Sequence, residues 1–551
     1  MSSAIEKYIR SKKKKLFVCF IDFKKAFDSI WHTALFLKLR QLGVSDLFYK
    51  IIKDMYVNGR LCVKTNDGLT SFFLSKVGVR QGCALSPLLF NLFLSDLSKS
   101  LDSVTQPISL FSKQITHLLY ADDLVLLAES AEDLQTSLNM LNNYCKKWKL
   151  TINPTKSKVM IFSARPPKKS SLTSLNFYIG SDKIEIVESY KYLGVIFSSN
   201  GSFKMAKAHL DGQAKKALFG FHSYLSDSSL PIYTCVQLFD KLIQPIATYG
   251  AEVWAPFCLS SRNLLNLNGS LFSKYTEFPC SAVQLKFGKR ILSVHEKSVN
   301  LAVLGELGHF PAMLSVLCKV INFWVHILRS PEDSLLYDAY LCSYNQFYKR
   351  NTHDKWFQLV KLLSDSYPML KPFWEVHSAK RYRASYIDKV LWSFKKAIYA
   401  DFLSFYNSEI SRFVSSNPSG GRLKLFSALK ENFGYEEYLS KIKNWQHRRL
   451  YTQLRISAHK LSVESGRYKD VCREDRICES CGSGDIEDEE HFLLHCSGFS
   501  SIRAVFFEEI TKIHPNFNSF TSSEKVKTIL NDPASCQLSA KYIYDMYQQR
   551  T

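Results

Sequence analysis

The chain has 551 residues, 46% of them hydrophobic, enough for two to four packed domains. Its formal net charge of +22 points to a polyanionic partner, either nucleic acid or an anionic membrane surface. A secreted or membrane-inserted protein is not expected. The N-terminal "MSSAIEKYIRSKKKK" has no apolar stretch before a cleavage site, and the most apolar later run, "PAMLSVLCKVINFWVHIL", carries Lys319 and His326 and suits a buried helix. Fourteen cysteines scattered through apolar runs fit a reduced intracellular chain.

In chain order, "KKKK" at 12–15 is a solvated lead-in to a strand, with nucleic-acid contact or nuclear import as the functional alternatives. "LFVCFI", Leu16 to Ile21, is a buried strand by its aromatic and β-branched content. After Asp22, the apolar residues Phe23, Phe27, Ile30 and Trp31 fall at helical spacing. Asp22 is therefore expected where a strand gives way to a helix, and its plain role there is an N-cap. Asp28 also has a plain role, pairing with Lys24 four residues earlier. In "VRQGCALSPLLFNLFLSDL", Arg80-Gln81-Gly82 is a polar loop, and Ser86-Pro87 is a cap and first turn. The helix that follows is apolar nearly all round, with Asn91 either a satisfied core amide or a pocket residue.

"LLYADDLVLLA", Leu118 to Ala128, sets Asp122 beside Asp123 in an apolar run. Two carboxylates ~5 Å apart repel by roughly 3 kcal/mol at an effective dielectric near 20, so something must offset them. A solvated hairpin turn would do so, and so would a divalent cation bound where that turn faces a cleft. If the strands are neighbours, Asp22 joins the pair as a third hard-oxygen ligand, the clamp that magnesium-dependent phosphoryl transfer uses.

"SAEDLQTSLNMLNNYCKKWKL" opens with Ser130 and Asp133 as a loose capping box and continues with Leu134, Leu138, Leu141, Cys145 and Trp148 on one face. "NPT" then turns the chain into the strand "KVMIF", and "YKYLGVIF" is a strand entering the turn "SSNG". From Phe203 to about Phe310 the pattern is helical, with "AKAHLDGQAKKALFGF" basic on one face. From Ala312 to about Ser440 it stays helical and aromatic, and Ser415 to Arg422 is the best internal linker. "CESCGSGDIEDEEHFLLHC" places Cys478, Cys481, His491 and Cys496 at zinc spacing, with His495 as an alternative to Cys496 and Cys472 nearby. Such a closed four-ligand site is structural. Upstream, "NWQHRRLYTQLRISAHKL" interleaves basic and aromatic residues as RNA contacts require.

"IDFKKAFD", "VRQGCALSPLLFNLFL", "LYADDLVLLA", "LTINPTKSKVMIF" and "YKYLGVIFSSNG" follow one another in an order and spacing that resembles the palm of reverse transcriptases, especially those of non-LTR, LINE-like retrotransposons. The resemblance extends over roughly residues 8 to 505. It implies an α+β fold: a palm with an antiparallel sheet and helices on one face over 1–202, a helical thumb over 203–310, and a helical connector over 311–440. A basic region with the zinc knuckle would follow over 441–505, and the tail 506–551 stays unassigned. Residue by residue, it makes Asp22 and Asp122 the main metal ligands, completed by Asp123, for two Mg²⁺ ions with Mn²⁺ as an alternative. Phe27 takes the steric-gate position that excludes a 2′-hydroxyl, so the substrate would be dNTP; its plain role is core packing. Gln81 and Gly82 would face the nascent base pair, and Lys156 or Lys158 would protonate the pyrophosphate. "YKYLGVIF" would be the primer-grip hairpin.

The implied activity is RNA-directed DNA polymerisation on an RNA template and DNA primer. The rival is a catalytically inactive protein that only binds RNA, and Phe27 disfavours an RNA-templated RNA polymerase. In the family, fingers precede "IDFKKAFD", whereas here only about twenty residues do, so the chain reads as N-terminally truncated and shows no endonuclease constellation. Nucleus and cytoplasm are the expected compartments.

Overall fold

The computed structural model describes residues 1–11, 13–165, 175–226, 230–260, 264, 271–350, 354–415 and 423–550. Lys12 and all but the first residue of the expected linker at 415–422 lie outside them. Two units form, one from Met1–Ala206 and His326–Leu359, the other from Lys207–Val325 and Val360–Thr551.

The first unit is built on one six-stranded sheet. Its centre is β1, Leu16–Ile21, six consecutive buried residues. The hairpin of β2 (His117–Tyr120) and β3 (Asp123–Ala128) pairs antiparallel on one side of β1, and β4 (Lys158–Phe162) pairs antiparallel on the other. Beyond β4 lie β6 (Asp182–Ile186), parallel to it, and β5 (Phe177–Ile179), giving the order β5–β6–β4–β1–β3–β2. Both faces of β1 are covered, which explains why "LFVCFI" shows no alternation.

The two faces carry different partners. Phe17, Cys19 and Ile21 of β1, with Leu124 and Leu126 of β3, join a core filled by helices α1 (His32–Gln41), α2 (Asp46–Val57), α3 (Ser86–Leu94), α4 (Leu97–Asp102) and α5 (Ala131–Trp148). The opposite face shows Phe20, whose ring stacks on Tyr190 at 4.4 Å. Tyr190 belongs to the hairpin of β7 (Ser189–Tyr192) and β8 (Val195–Ser198). Val18, Phe20, Val125, Leu127, Met160 and Phe162 on this second face are buried as well.

Helix α5 begins as its sequence dictates. Ser130 Oγ accepts from Asp133 N at 3.0 Å, and Leu134, Leu138, Leu141, Cys145 and Trp148 are all buried. Several local expectations need correction. No α-helix follows Asp22: Phe23 bridges Ile152, Lys24 N donates to Thr151 O at 2.7 Å, and Lys25 is left-handed (φ 51°). The helix starts only at His32. Ser86 is inside the first turn of α3, not its cap; Leu85 holds that position, and the Ser86 hydroxyl donates to Arg80 O. Asn91 is exposed and so is not a core amide. "YKYLGVIF" is a complete hairpin whose loop is Leu193–Gly194, both at positive φ (47° and 81°), the conformation a two-residue type I′ turn requires.

The second unit is helical around one buried ion network. Arg455, on the helix Trp445–Arg455, donates from Nε to Glu306 Oε1 at 2.6 Å and from its terminal nitrogen to Glu436 Oε2 at 2.8 Å. Glu306 closes the short helix Asn300–Glu306 and also accepts from the Tyr438 hydroxyl at 2.8 Å. The apolar run after Pro311 is a helix, Ala312–Arg329, with Met313, Leu314, Val316, Leu317, Val320, Ile321 and Trp324 buried. Among the described residues it is the one helix long and apolar enough to cross a membrane. Residues 506–550 of the tail form helices, ending in Cys536–Gln549, and Arg550 makes a two-pronged bond to Glu487 at 2.7 Å.

Candidate active site and cysteine–histidine cluster

The register of β1 and β3 decides the geometry of the acids. Ile21 pairs with Leu124, so one step further along the antiparallel ladder Asp22 stands across from Asp123. Asp122 is the second residue of the two-residue loop between β2 and β3. Its partner in that loop, Ala121, is held left-handed at φ 52°, a conformation costing about 1 kcal/mol or more for a residue with a Cβ. The three carboxylates therefore gather at one end of adjacent central strands.

Parity fixes which face they use. Asp22 continues the Val18–Phe20 row, the face on which Tyr190 stacks, and not the row buried under the helices. Burial, and then the charges of Asp122 and Asp22, raise the Asp123 carboxyl above its ordinary pKa. The Tyr190 hydroxyl is raised by burial and then by Asp22 and Asp123, and that of Tyr192 is pushed up to about 12 by burial and then by Asp123. Among the described residues no Lys or Arg pairs with Asp22, Asp122 or Asp123. Carboxylates are hard-oxygen donors, the chemistry that a divalent cation such as Mg²⁺ takes. The two tyrosines were not singled out from sequence as neighbours of the acids, although the Tyr190-x-Tyr192 alternation puts both rings on one side of a strand.

The remaining expected site residues divide. Phe27 is half-buried and stacked on Phe90 at 4.8 Å, and its carbonyl accepts from Val79 N at 2.8 Å. That bond draws the Arg80-Gln81-Gly82 loop alongside it. Gln81 Nε2 donates to Asp28 Oδ1 at 2.8 Å on the wall of a cavity of about 550 Å³, so Asp28 is held there and not by Lys24. Gly82 is left-handed (φ 80°) with open space where a side chain would point. Lys158 lies beside Phe20 on the acids' face but is tied to Glu185 at 2.6 Å, whereas Lys156 is exposed in the preceding turn.

In the second unit, Cys478, Cys481, His491 and Cys496 bring their ligand atoms within 4.8 Å of one another. Cys478 Sγ is 3.7 Å from Cys496 Sγ, and Cys481 Sγ is 3.5 Å from His491 Nε2. Ligands ~2.3 Å from the centre of a tetrahedron stand about 3.8 Å apart, so these spacings suit zinc. The backbone prepares the cluster. Cys478 N donates to Asp485 O at 2.8 Å, and Gly498 lies where an added Cβ would meet Ser480 O at 2.8 Å. The Ser483 hydroxyl is the first cause that lowers the Cys481 thiol to about 6, while burial raises Cys478 and takes Cys496 to about 12. His495 is half-exposed beside Glu490 at 3.5 Å, and Cys472 is exposed; neither joins the four.

The first unit is thus a mixed helix–sheet domain with three carboxylates at one end of its central strands, in a strongly basic chain. Residues 1–197 match the family model described as reverse transcriptase (RNA-dependent DNA polymerase). The chain is 31% identical over 219 residues to a retrovirus-related Pol polyprotein from the type-1 retrotransposable element R2 of Nasonia vitripennis, covering 39% of this chain and 21% of that protein. It is 30% identical over 208 residues to the corresponding type-2 element R2DM polyprotein of Drosophila melanogaster, 36% of this chain and 20% of the relative. To the RNA-directed DNA polymerase from mobile element jockey of Drosophila funebris it is 24% identical over 304 residues, 52% of this chain and 32% of the relative. The chain thus spans about a fifth to a third of these relatives, and its likeness to the reverse transcriptase family model lies in its first 197 residues.

Proposed function

We propose that the chain is the RNA-directed DNA polymerase core of a LINE-like element, extending a DNA primer on an RNA template with dNTP. The observation that carries this reading is the pairing of Ile21 with Leu124 at the end of the β1–β3 ladder, which brings Asp22 close enough to Asp122 and Asp123 for their charges to raise the Asp123 carboxyl. Asp22 and Asp122 are the principal metal ligands and Asp123 completes the set. Two divalent cations, Mg²⁺ in the first instance, lower the pKa of the primer 3′-hydroxyl and neutralise the triphosphate when bound. The chain's own residues then orient the reactants. Phe27, held flat on Phe90, closes the space beneath the sugar against a 2′-hydroxyl, and Gln81 and Gly82 border the base pair. Lys156, the unpaired candidate of the two lysines, is favoured as the proton donor to pyrophosphate. The hairpin of β7 and β8 holds the primer end.

The sheet-bearing segment 1–202 acts as palm, 203–310 as thumb and 311–440 as connector, with the basic region to 505 ending in a structural zinc knuckle on Cys478, Cys481, His491 and Cys496. The reading places the protein inside the cell, in nucleus and cytoplasm.

The deciding experiment is primer extension on an RNA template with Mg²⁺. Direct metal ligation predicts a loss of at least ~100-fold for Asp122→Ala, more than a residue behind the ligands would cost. In the same assay Phe27→Ala should begin to accept NTPs. Activity unchanged in Asp122→Ala would remove the metal site, and no activity in the unmodified chain would leave an RNA-binding protein.

A further inference from the structure

The polymerase reading gives the helices after residue 370 only a connecting role, yet their surface has a distinct chemistry. Between Lys371 and Lys396 stand seven Lys and Arg against two acids, Glu375 and Asp388. The long helix Ala384–Ser415 buries Ile387, Val390, Phe394 and Ile398 as one stripe. At 100° per residue, Lys389, Trp392 and Lys396 fall together on the side facing away from that stripe, all exposed. Trp392 is 63% exposed, unusual for the largest apolar side chain, and Lys396 Nζ stands 5.5 Å from its ring centroid. Just before the helix, exposed Lys380, Arg381 and Arg383 flank the stacked rings of Tyr382 and Tyr386, 5.1 Å apart.

We infer that the surface formed by Lys389, Trp392 and Lys396, extended by Arg381, Arg383 and Tyr386, binds single-stranded nucleic acid, with Trp392 as a stacking platform for a base. Stacking needs an exposed π-face and the backbone needs cations alongside it, and both occur here within about two helical turns. An anionic membrane is the weaker fit. Interfacial helices present a continuous apolar face, whereas the large apolar residues exposed here, Tyr386 and Trp392, are separated by charges, and the apolar stripe of the helix is already buried. A duplex is also a weaker fit, because its bases are not free to stack on an indole.

The test is fluorescence anisotropy of the full chain with labelled single-stranded RNA, single-stranded DNA and an RNA hairpin, without dNTP. Trp392→Ala should weaken single-strand binding about 5- to 100-fold and leave the hairpin within about twofold, while Trp392→Phe retains most of the affinity. Lys389→Ala with Lys396→Ala should flatten the slope of log K against log salt by about 1.4 for single strands, and the control Lys512→Ala should leave it unchanged. Tighter RNA than DNA, or the reverse, tells which strand uses the surface and supports it either way. Asp122→Ala should bind normally, so loss of the polymerase reading leaves this one standing. Unchanged single-strand affinity in both variants, with native circular dichroism, would overturn it. So would binding to phosphatidylserine vesicles that Trp392→Ala abolishes while RNA affinity persists.

Discussion

Lys38 sits inside the protein with 3% of its side chain exposed, its ammonium 2.6 Å from Asp96 Oδ1, 2.8 Å from the Tyr144 hydroxyl and 3.9 Å from the centroid of the Trp148 ring. Burial lowers it to about 8 even though Asp96 pulls the other way. Between that value and the ordinary lysine pKa near 10.4, the unfolded chain holds a proton that the folded chain has released. Stability contributed by this group therefore rises with pH across that window, by at most ~1.4 kcal/mol per pH unit. Urea unfolding of the unmodified chain and of Lys38→Met should show their difference shifting toward the unmodified chain from about pH 8 to 10.4; a constant difference would mean that Lys38 titrates normally. Nothing in "LFLKLR" announces this, because a lysine in an amphipathic helix reads as solvated. Asp122 and Asp123 were legible for the opposite reason: two acids inside an apolar run have no ordinary place, so the anomaly itself carried information.

Elements held by local rules were legible, and those held by distant partners were not. Helix α5 has its cap and its stripe within its own sequence. The segment Phe23–Trp31 has helical spacing too, but the backbone of residues 23 and 24 pairs with Ile152 and Thr151, more than a hundred residues away. The same limit hid the Leu193–Gly194 turn, since Leu at positive φ is a choice no propensity favours. The cysteine–histidine cluster is the element whose four members could be counted from spacing alone. A folded chain with four such ligands should carry one zinc, measured by atomic absorption, and Cys478→Ser with Cys481→Ser should lose it together with the order of residues 477–496. Metal-free protein that keeps the same fold there would contradict the assignment.

Across the molecule, the second unit depends on charges that no single segment reveals. Arg455 is fully buried between Glu306 and Glu436 and also reaches Asn531 Oδ1 at 2.8 Å, so one guanidinium joins four separate stretches of chain. Arg455→Ala would leave Glu306 buried without its cation, and a loss of about 3–5 kcal/mol is expected, read as a lowered denaturant midpoint with the sheet signal of the first unit retained. A shift below ~1 kcal/mol would mean that water replaces the guanidinium. The net charge of +22, the ordered motifs, the acid pair and the zinc spacing were settled by sequence, because each is a matter of composition or of short, fixed intervals. Tertiary structure alone decided that Asp22 stands opposite Asp123, that His326–Leu359 packs with the first unit, that the C-terminal tail braces the knuckle through Arg550 and Glu487, and that Trp392 faces outward. Strand register and burial are set by contacts between residues far apart in the chain, and a linear pattern carries no term for them.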